Sequence, residues 1–188
     1  FTMEVTRLID LFPYQQQKFP KADALASKEN GVWKTYSTSE IIQITNDLSY
    51  GLLNFGIQEG DHIGIISNNR PEWNFVDHAC LQIAVANVPL YPTISDNDLK
   101  FILQQSEVKV VFVSTKELYE KVYAHKIDLP LLKEIYIFNE TEGYPNWKQL
   151  IQMGKKNPRV EDVNRIRNTI KPDDLATIIY TSGTTGNP

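Results

Sequence analysis

With 188 residues, 41% of them hydrophobic, and a formal net charge of -4, the chain has enough apolar material to bury the core of one domain. Both signs of charge are scattered along it, which excludes a basic stripe able to neutralise a nucleic acid backbone. No apolar run approaches the roughly 20 residues that cross a bilayer, the N-terminus Phe1-Thr2-Met3-Glu4 lacks the features of a signal peptide, and the single Cys80 excludes an internal disulfide; together these predict a cytoplasmic protein.

In chain order, Glu4 to Lys18 reads as a helix ended by Phe19-Pro20. Ala24 to Ser27 and Val32 to Tyr36 flank Asn30-Gly31, two residues that tolerate positive φ, and so predict a hairpin with a type I′ turn. Ser37 and Glu40 form a capping box, Ile41, Ile44, Leu48, Leu52 and Phe55 make one apolar stripe, and Gly56 stops that helix. Ile63 to Ile66 is a short buried strand, and Pro71 opens a helix whose stripe includes Phe75, Val76, Ala79, Cys80 and Ile83. Val88 to Tyr91 is a strand ended by Pro92, Ser95 with Asp98 caps a helix to Gln105, and Lys109 to Val113 is the next strand. Thr115 to Ala124 is helical and Glu134 to Phe138 extended, while Asn146 to Met153 and Glu161 to Ile170 read as surface-facing helices. The polar stretch from Gly154 to Pro172 is either a sub-domain boundary or a solvated helix face, the latter slightly favoured. A last strand, Leu175 to Tyr180, has the composition of a buried one.

This alternation predicts an α/β fold, a layered parallel-type sheet with helices on both faces. The near-continuous apolar runs Val110 to Val113 and Ile135 to Ile137 suit strands covered on both sides. Cys80 shares a helical face with Val76, Ile83 and Ala84 and reads as a small core residue rather than a nucleophile. His62, His78 and His125 form neither an i, i+4 pair nor an HExxH arrangement, so none is assigned a metal, and Trp33, Trp73 and Trp147 read as residues with core or partial-surface roles rather than ligand contacts.

The most informative stretch follows the last strand: Thr181, Ser182, Gly183, Thr184, Thr185, Gly186, Asn187 and Pro188. Two glycines let the backbone turn its N–H groups towards an anion, and the hydroxyls of Thr181, Ser182, Thr184 and Thr185 add uncharged donors. Only two residues separate Gly183 from Gly186 and no Lys follows, so this is not a Walker loop; Ser182 has no glycine two places before it, so it is not a nucleophile elbow. At a strand's carboxyl end, where ligands of open α/β sheets gather, the loop predicts a phosphate site. A flexible, hydroxyl-rich connector is the bland alternative.

The run Lys171 to Pro188, KPDDLATIIYTSGTTGNP, resembles the phosphate-binding signature of the adenylate-forming enzymes, the superfamily of acyl-CoA synthetases, luciferases and peptide-synthetase adenylation domains. TYSTSEI at Thr35 to Ile41 and LQIAVANVPLYPTIS at Leu81 to Ser95 are similar to the first and second core motifs of that family. NNRPEWNFVDHA at Asn68 to Ala79 resembles its long-chain fatty acid CoA ligase branch.

The resemblance implies a two-step reaction that consumes magnesium ATP, a fatty acid and CoA, with Thr181, Ser182, Gly183, Thr184, Thr185 and Gly186 holding the β- and γ-phosphates. It further implies that residues 1–188 are an incomplete N-terminal AMP-binding domain ending inside its phosphate loop, inactive alone and at most a weak nucleotide binder. The family's magnesium-binding Glu, ribose-binding Asp, hinge and lid-domain Lys match no position here, so no catalytic or metal-binding residue is assigned. An aryl or short-chain acid ligase, a non-catalytic nucleotide-binding module and a structural α/β domain stay open as alternatives, as do the oligomeric state and a peripheral membrane attachment of the longer protein.

Overall fold

The structure, a computed structural model, describes residues 4–181. A short 3-10 turn at Leu8–Asp10 leads into α1 (Leu11–Lys18), so the first helix is shorter than the sequence predicts. The reason is Asp10, a buried carboxylate that accepts from the Arg7 backbone N–H at 3.1 Å and from its guanidinium at 2.8 and 3.1 Å, fixing a separate cap ahead of the helix. β1 (Leu25–Glu29) and β2 (Val32–Tyr36) form an antiparallel hairpin, with Asn30 and Gly31 at φ of 50° and 83° in the expected turn.

α2 (Thr38–Phe55) starts at the expected capping box: the Ser37 hydroxyl accepts from the Glu40 N–H at 3.2 Å while the Glu40 carboxylate accepts from the Ser37 N–H at 2.7 Å. It ends at Gly56, whose φ of 93° is the left-handed stop. There follow β3 (His62–Ile66), α3 (Pro71–Leu81), β4 (Ala86–Leu90), α4 (Asp96–Gln105), β5 (Val110–Val113), α5 (Lys116–Tyr123), β6 (Glu134–Ile137), α6 (Lys148–Lys156) and α7 (Val160–Thr169).

β3 to β6 form one parallel sheet in the order β4-β3-β5-β6. The chain moves outward from β3 to β4, then crosses back to lay β5 on the other side of β3, so the direction of winding reverses between β3 and β5. Alternate strand residues enter two separate cores, one on each face. Ile63, Ile65, Val110, Phe112 and Tyr136 pack with α2, α3, α6 and α7, whereas Ile66, Val88, Val111, Val113, Ile135 and Ile137 pack with α4 and α5. Helices on both faces are therefore the observed architecture, as expected.

Two expectations need correction. α6 and α7 are not simply surface helices: Leu150, Ile151 and Gly154 of α6 and Val163 and Ile166 of α7 are buried. α6 lies directly on α2, because Gly51 faces the Leu150 carbonyl and Gly154 faces the Asp47 carbonyl with no side chain between the backbones. The segment Leu175 to Tyr180 is not a buried strand. Leu175 and Ile179 are 62% and 66% exposed, and the segment meets the sheet through one parallel bridge, Asn87 to Thr177. No helix of the described residues is long and apolar enough to cross a membrane.

Candidate functional site

The segment that leads to the predicted phosphate loop lies along the outer edge of β4. The Asn87 N–H donates to the Ala176 carbonyl at 3.3 Å and the Ile178 N–H donates to the Asn87 carbonyl at 2.9 Å, the paired pattern of a parallel ladder. One step further on, the same edge of β4 presents Pro89, which has no N–H to donate. The ladder stops there, which explains why a run as apolar as Leu175 to Tyr180 makes a bridge and not a strand.

Side chains add what the backbone does not. The Thr177 hydroxyl donates to the Asn87 Oδ1 at 2.6 Å, and the Asn87 Nδ2 donates to the Asp77 carboxylate of α3. Burial pushes Asp77 up to about 6, with the Asn87 hydrogen bond pulling the other way. Beside it, burial pushes His78 down to about 4, and that ring lies 4.3 Å from the Phe12 ring centroid to centroid. The buried Cys80 thiol is pushed up, by burial first and then by the nearby Asp77, which suits a core residue and not a nucleophile.

Running parallel to β4, the segment carries Thr181 out at the carboxyl end of the sheet, where it is exposed. Of the predicted phosphate-binding residues, Thr181 alone is described; Ser182, Gly183, Thr184, Thr185 and Gly186 lie outside the described residues. At the same end, the loops after β3, β5 and β6 and the β1–β2 hairpin wall a groove of about 640 Å³ that includes Trp33, Asn68, Arg70, Ser114 and Asn139.

Arg70 in this groove is engaged. Its guanidinium donates to both Glu72 carboxylate oxygens at 2.8 and 3.0 Å and to Asn139 Oδ1 at 2.8 Å, and sits 5.3 Å from the centre of the Phe138 ring. Burial pushes the Glu72 carboxyl up, but the Arg70 hydrogen bonds outweigh it and leave the group below its ordinary range. Arg70 thus closes the top of the core with a neutralised pair. Among the described residues, no cluster of three or more His, Cys, Asp or Glu side chains gathers to hold a metal.

The Asp77–Asn87–Thr177 chain is the part of this site that the sequence does not announce. Its one signal is an amide set among apolar neighbours, Ala86-Asn87-Val88, level in the sheet with Ile63 of β3 and Val110 of β5.

The AMP-binding enzyme family model matches residues 12–188. The chain belongs to that family. Among its relatives, the peroxisomal long chain acyl-CoA synthetase 6 of Arabidopsis thaliana is 33% identical over 168 residues, 83% of this chain and 23% of that protein. The long-chain-fatty-acid–CoA ligase FadD15 of Mycobacterium bovis is 32% identical over 160 residues, 85% of this chain and 26% of that protein. In three dimensions the AMP-binding chain superposes on a long-chain-fatty-acid-CoA ligase, FadD1, from Archaeoglobus fulgidus with a TM-score of 0.76 at 20% identity, covering 98% of this chain and 36% of that one. On the anthranilate CoA ligase AuaEII in complex with anthranoyl-AMP the TM-score is 0.70 at 16% identity, over 95% of this chain and 32% of that one. The family and the layered α/β fold are those expected from the sequence motifs. The chain spans about a quarter of the length of the curated relatives it matches.

Proposed function

We propose that this chain forms the phosphate-gripping part of an enzyme that activates a long-chain fatty acid with ATP and transfers the acyl group to CoA. In the first step a fatty carboxylate oxygen attacks the α-phosphorus of magnesium ATP, the bond from that phosphorus to the bridging oxygen breaks, and pyrophosphate leaves. In the second, the CoA sulfur attacks the acyl carbonyl as its proton is lost, and AMP leaves. Charge grows on the departing pyrophosphate, so the backbone N–H groups and hydroxyls of Thr181, Ser182, Gly183, Thr184, Thr185 and Gly186 serve by holding the β- and γ-phosphates and aiming the α-phosphorus. Magnesium enters with ATP as part of the substrate, and no residue here is assigned to it.

The observation that carries this reading is the delivery of Thr181 to the carboxyl end of a parallel sheet, by a segment held against the edge of β4. The long-chain ligases among the relatives support the choice of acid. The test is ATP–pyrophosphate exchange by the full-length polypeptide with palmitate, benzoate and acetate. Palmitate should support the fastest exchange, and Thr184→Val combined with Thr185→Val should slow it at least tenfold, since each lost charge-assisted contact is worth roughly 1.5–3 kcal/mol in a shielded site. Exchange that is equal in the variant, or supported by none of the acids, refutes the proposal.

A further inference from the structure

We propose that Asn87, turned by Asp77 and gripping Thr177, is a positioning residue that sets where the triphosphate of the nucleotide is held; the inference rests on the function proposed above. Asn87 is 2% exposed and uses every polar group it has. Its N–H and carbonyl hold Ala176 and Ile178, its Oδ1 takes the Thr177 hydroxyl, and its Nδ2 reaches Asp77. The carboxylate fixes which way the amide faces: nitrogen must point to Asp77, so oxygen must point to Thr177. Without that anchor either orientation would satisfy a hydroxyl, which both donates and accepts.

The grip matters because, beyond Ile178 and Tyr180, which are partly buried against the core on the α4 and α5 face, the segment has few other holds. Leu175 and Ile179 point to solvent, and Pro89 denies the ladder its next rung. Thr177 stands four positions before Thr181, about 13 Å of extended chain at roughly 3.3 Å per residue. Over that arm a turn of about 5° at the bridge moves the start of the loop by about 1 Å, and a misplacement of that size costs up to about a hundredfold in rate where reacting groups must be aligned. Asn87 and Asp77 touch no phosphate themselves. They act through the segment, so their effect belongs to ATP and not to the acid.

Thr177→Val tests this with least risk to folding, because it removes the hydroxyl at an exposed position while keeping the shape. In the full-length polypeptide, ATP–pyrophosphate exchange should show kcat/KM for ATP lowered tenfold to a hundredfold, with KM for palmitate and the melting temperature unchanged. Thr177→Ser should restore it, and Asp77→Asn should give a smaller loss of the same kind. Amide exchange at Ile178 should speed up in Thr177→Val and not in Thr177→Ser. An unchanged kcat/KM for ATP in Thr177→Val, or an unchanged Ile178 amide, overturns the positioning role while leaving the function intact. A native polypeptide without exchange activity on any acid overturns the function, and this inference falls with it.

Discussion

Asp77 and His78 are neighbours on α3 whose burial pulls stability in opposite directions as pH changes. Asp77 holds its proton up to about 6 in the fold against 3.8 in the unfolded chain. Between those values the native state binds more proton than the unfolded state, so stability falls as pH rises, and the full cost stands above about 6. His78 titrates near 4 in the fold against 6.5 unfolded. There the unfolded state binds more proton, so stability rises with pH through that window and the loss is complete below about 4. At about 1.36 kcal/mol for each pH unit, either effect alone amounts to about 3 kcal/mol. In the parent chain the two slopes largely cancel between pH 4 and 6.

Separating them is the sharpest check on this reading of the buried face of α3. Asp77→Asn keeps an acceptor for the Asn87 Nδ2 but carries no charge, so it should stabilise the chain by up to about 3 kcal/mol at pH 7–8 and leave stability at pH 4 unchanged. The His78 slope then stands alone, and Asp77→Asn should lose about 3 kcal/mol on going from pH 6.5 to 4. His78→Leu should do the reverse, losing stability as pH rises from 4 to 6. Urea denaturation followed by circular dichroism, at half-unit steps from pH 4 to 8, measures all three chains. Profiles of Asp77→Asn and the parent that run parallel across the whole range would refute the argument, since a group that is solvated in the fold leaves no such trace.

Three further substitutions or probes examine the packing that supports the site. Gly154→Ala places a Cβ against the Asp47 carbonyl and should push α6 off α2, costing about 1–3 kcal/mol or more in thermal or urea denaturation. Ser37→Ala breaks the capping box at the start of α2 and should cost about 1 kcal/mol in the same assay. Cys80, buried and with its thiol pushed up, should stay unmodified by a thiol reagent at pH 8 until denaturant unfolds the chain, whereas immediate modification in buffer would contradict its placement.

The elements most legible in the sequence are those whose boundary chemistry is local. α2 carries its own start in Ser37 and Glu40 and its own stop in Gly56, and the hairpin turn is written in Asn30-Gly31. β5 and the Ile135 to Ile137 part of β6 announce themselves as unbroken apolar runs because both faces are covered. What is missed depends on partners distant in the chain. α6 reads as surface-facing because few of its side chains are apolar, yet it meets α2 through two glycines, Gly51 of α2 and Gly154 of α6, that periodicity does not count. The phosphate loop is legible as a motif, whereas Asn87 looks like a break in an apolar strand until Asp77 and Thr177 come to either side of it.

The final strand shows most clearly how a distant residue overrules local composition, and it can be tested directly. Leu175 to Tyr180 has what a buried parallel strand requires, but a ladder also needs donors on the strand it joins. On the outer edge of β4, Asn87 supplies one and Pro89 cannot supply the next. Pro89→Ala restores an N–H facing the Ile178 carbonyl without altering the strand's pairing with β3, where Pro89 stands opposite Ile65 with its nitrogen turned away. The new amide at position 89 and that of Tyr180 should both become protected from solvent exchange, extending the bridge into a strand worth about 1 kcal/mol per added bond. An amide at position 89 that exchanges freely would mean that the exposed side chains of the segment, and not the missing donor, keep it from joining the sheet.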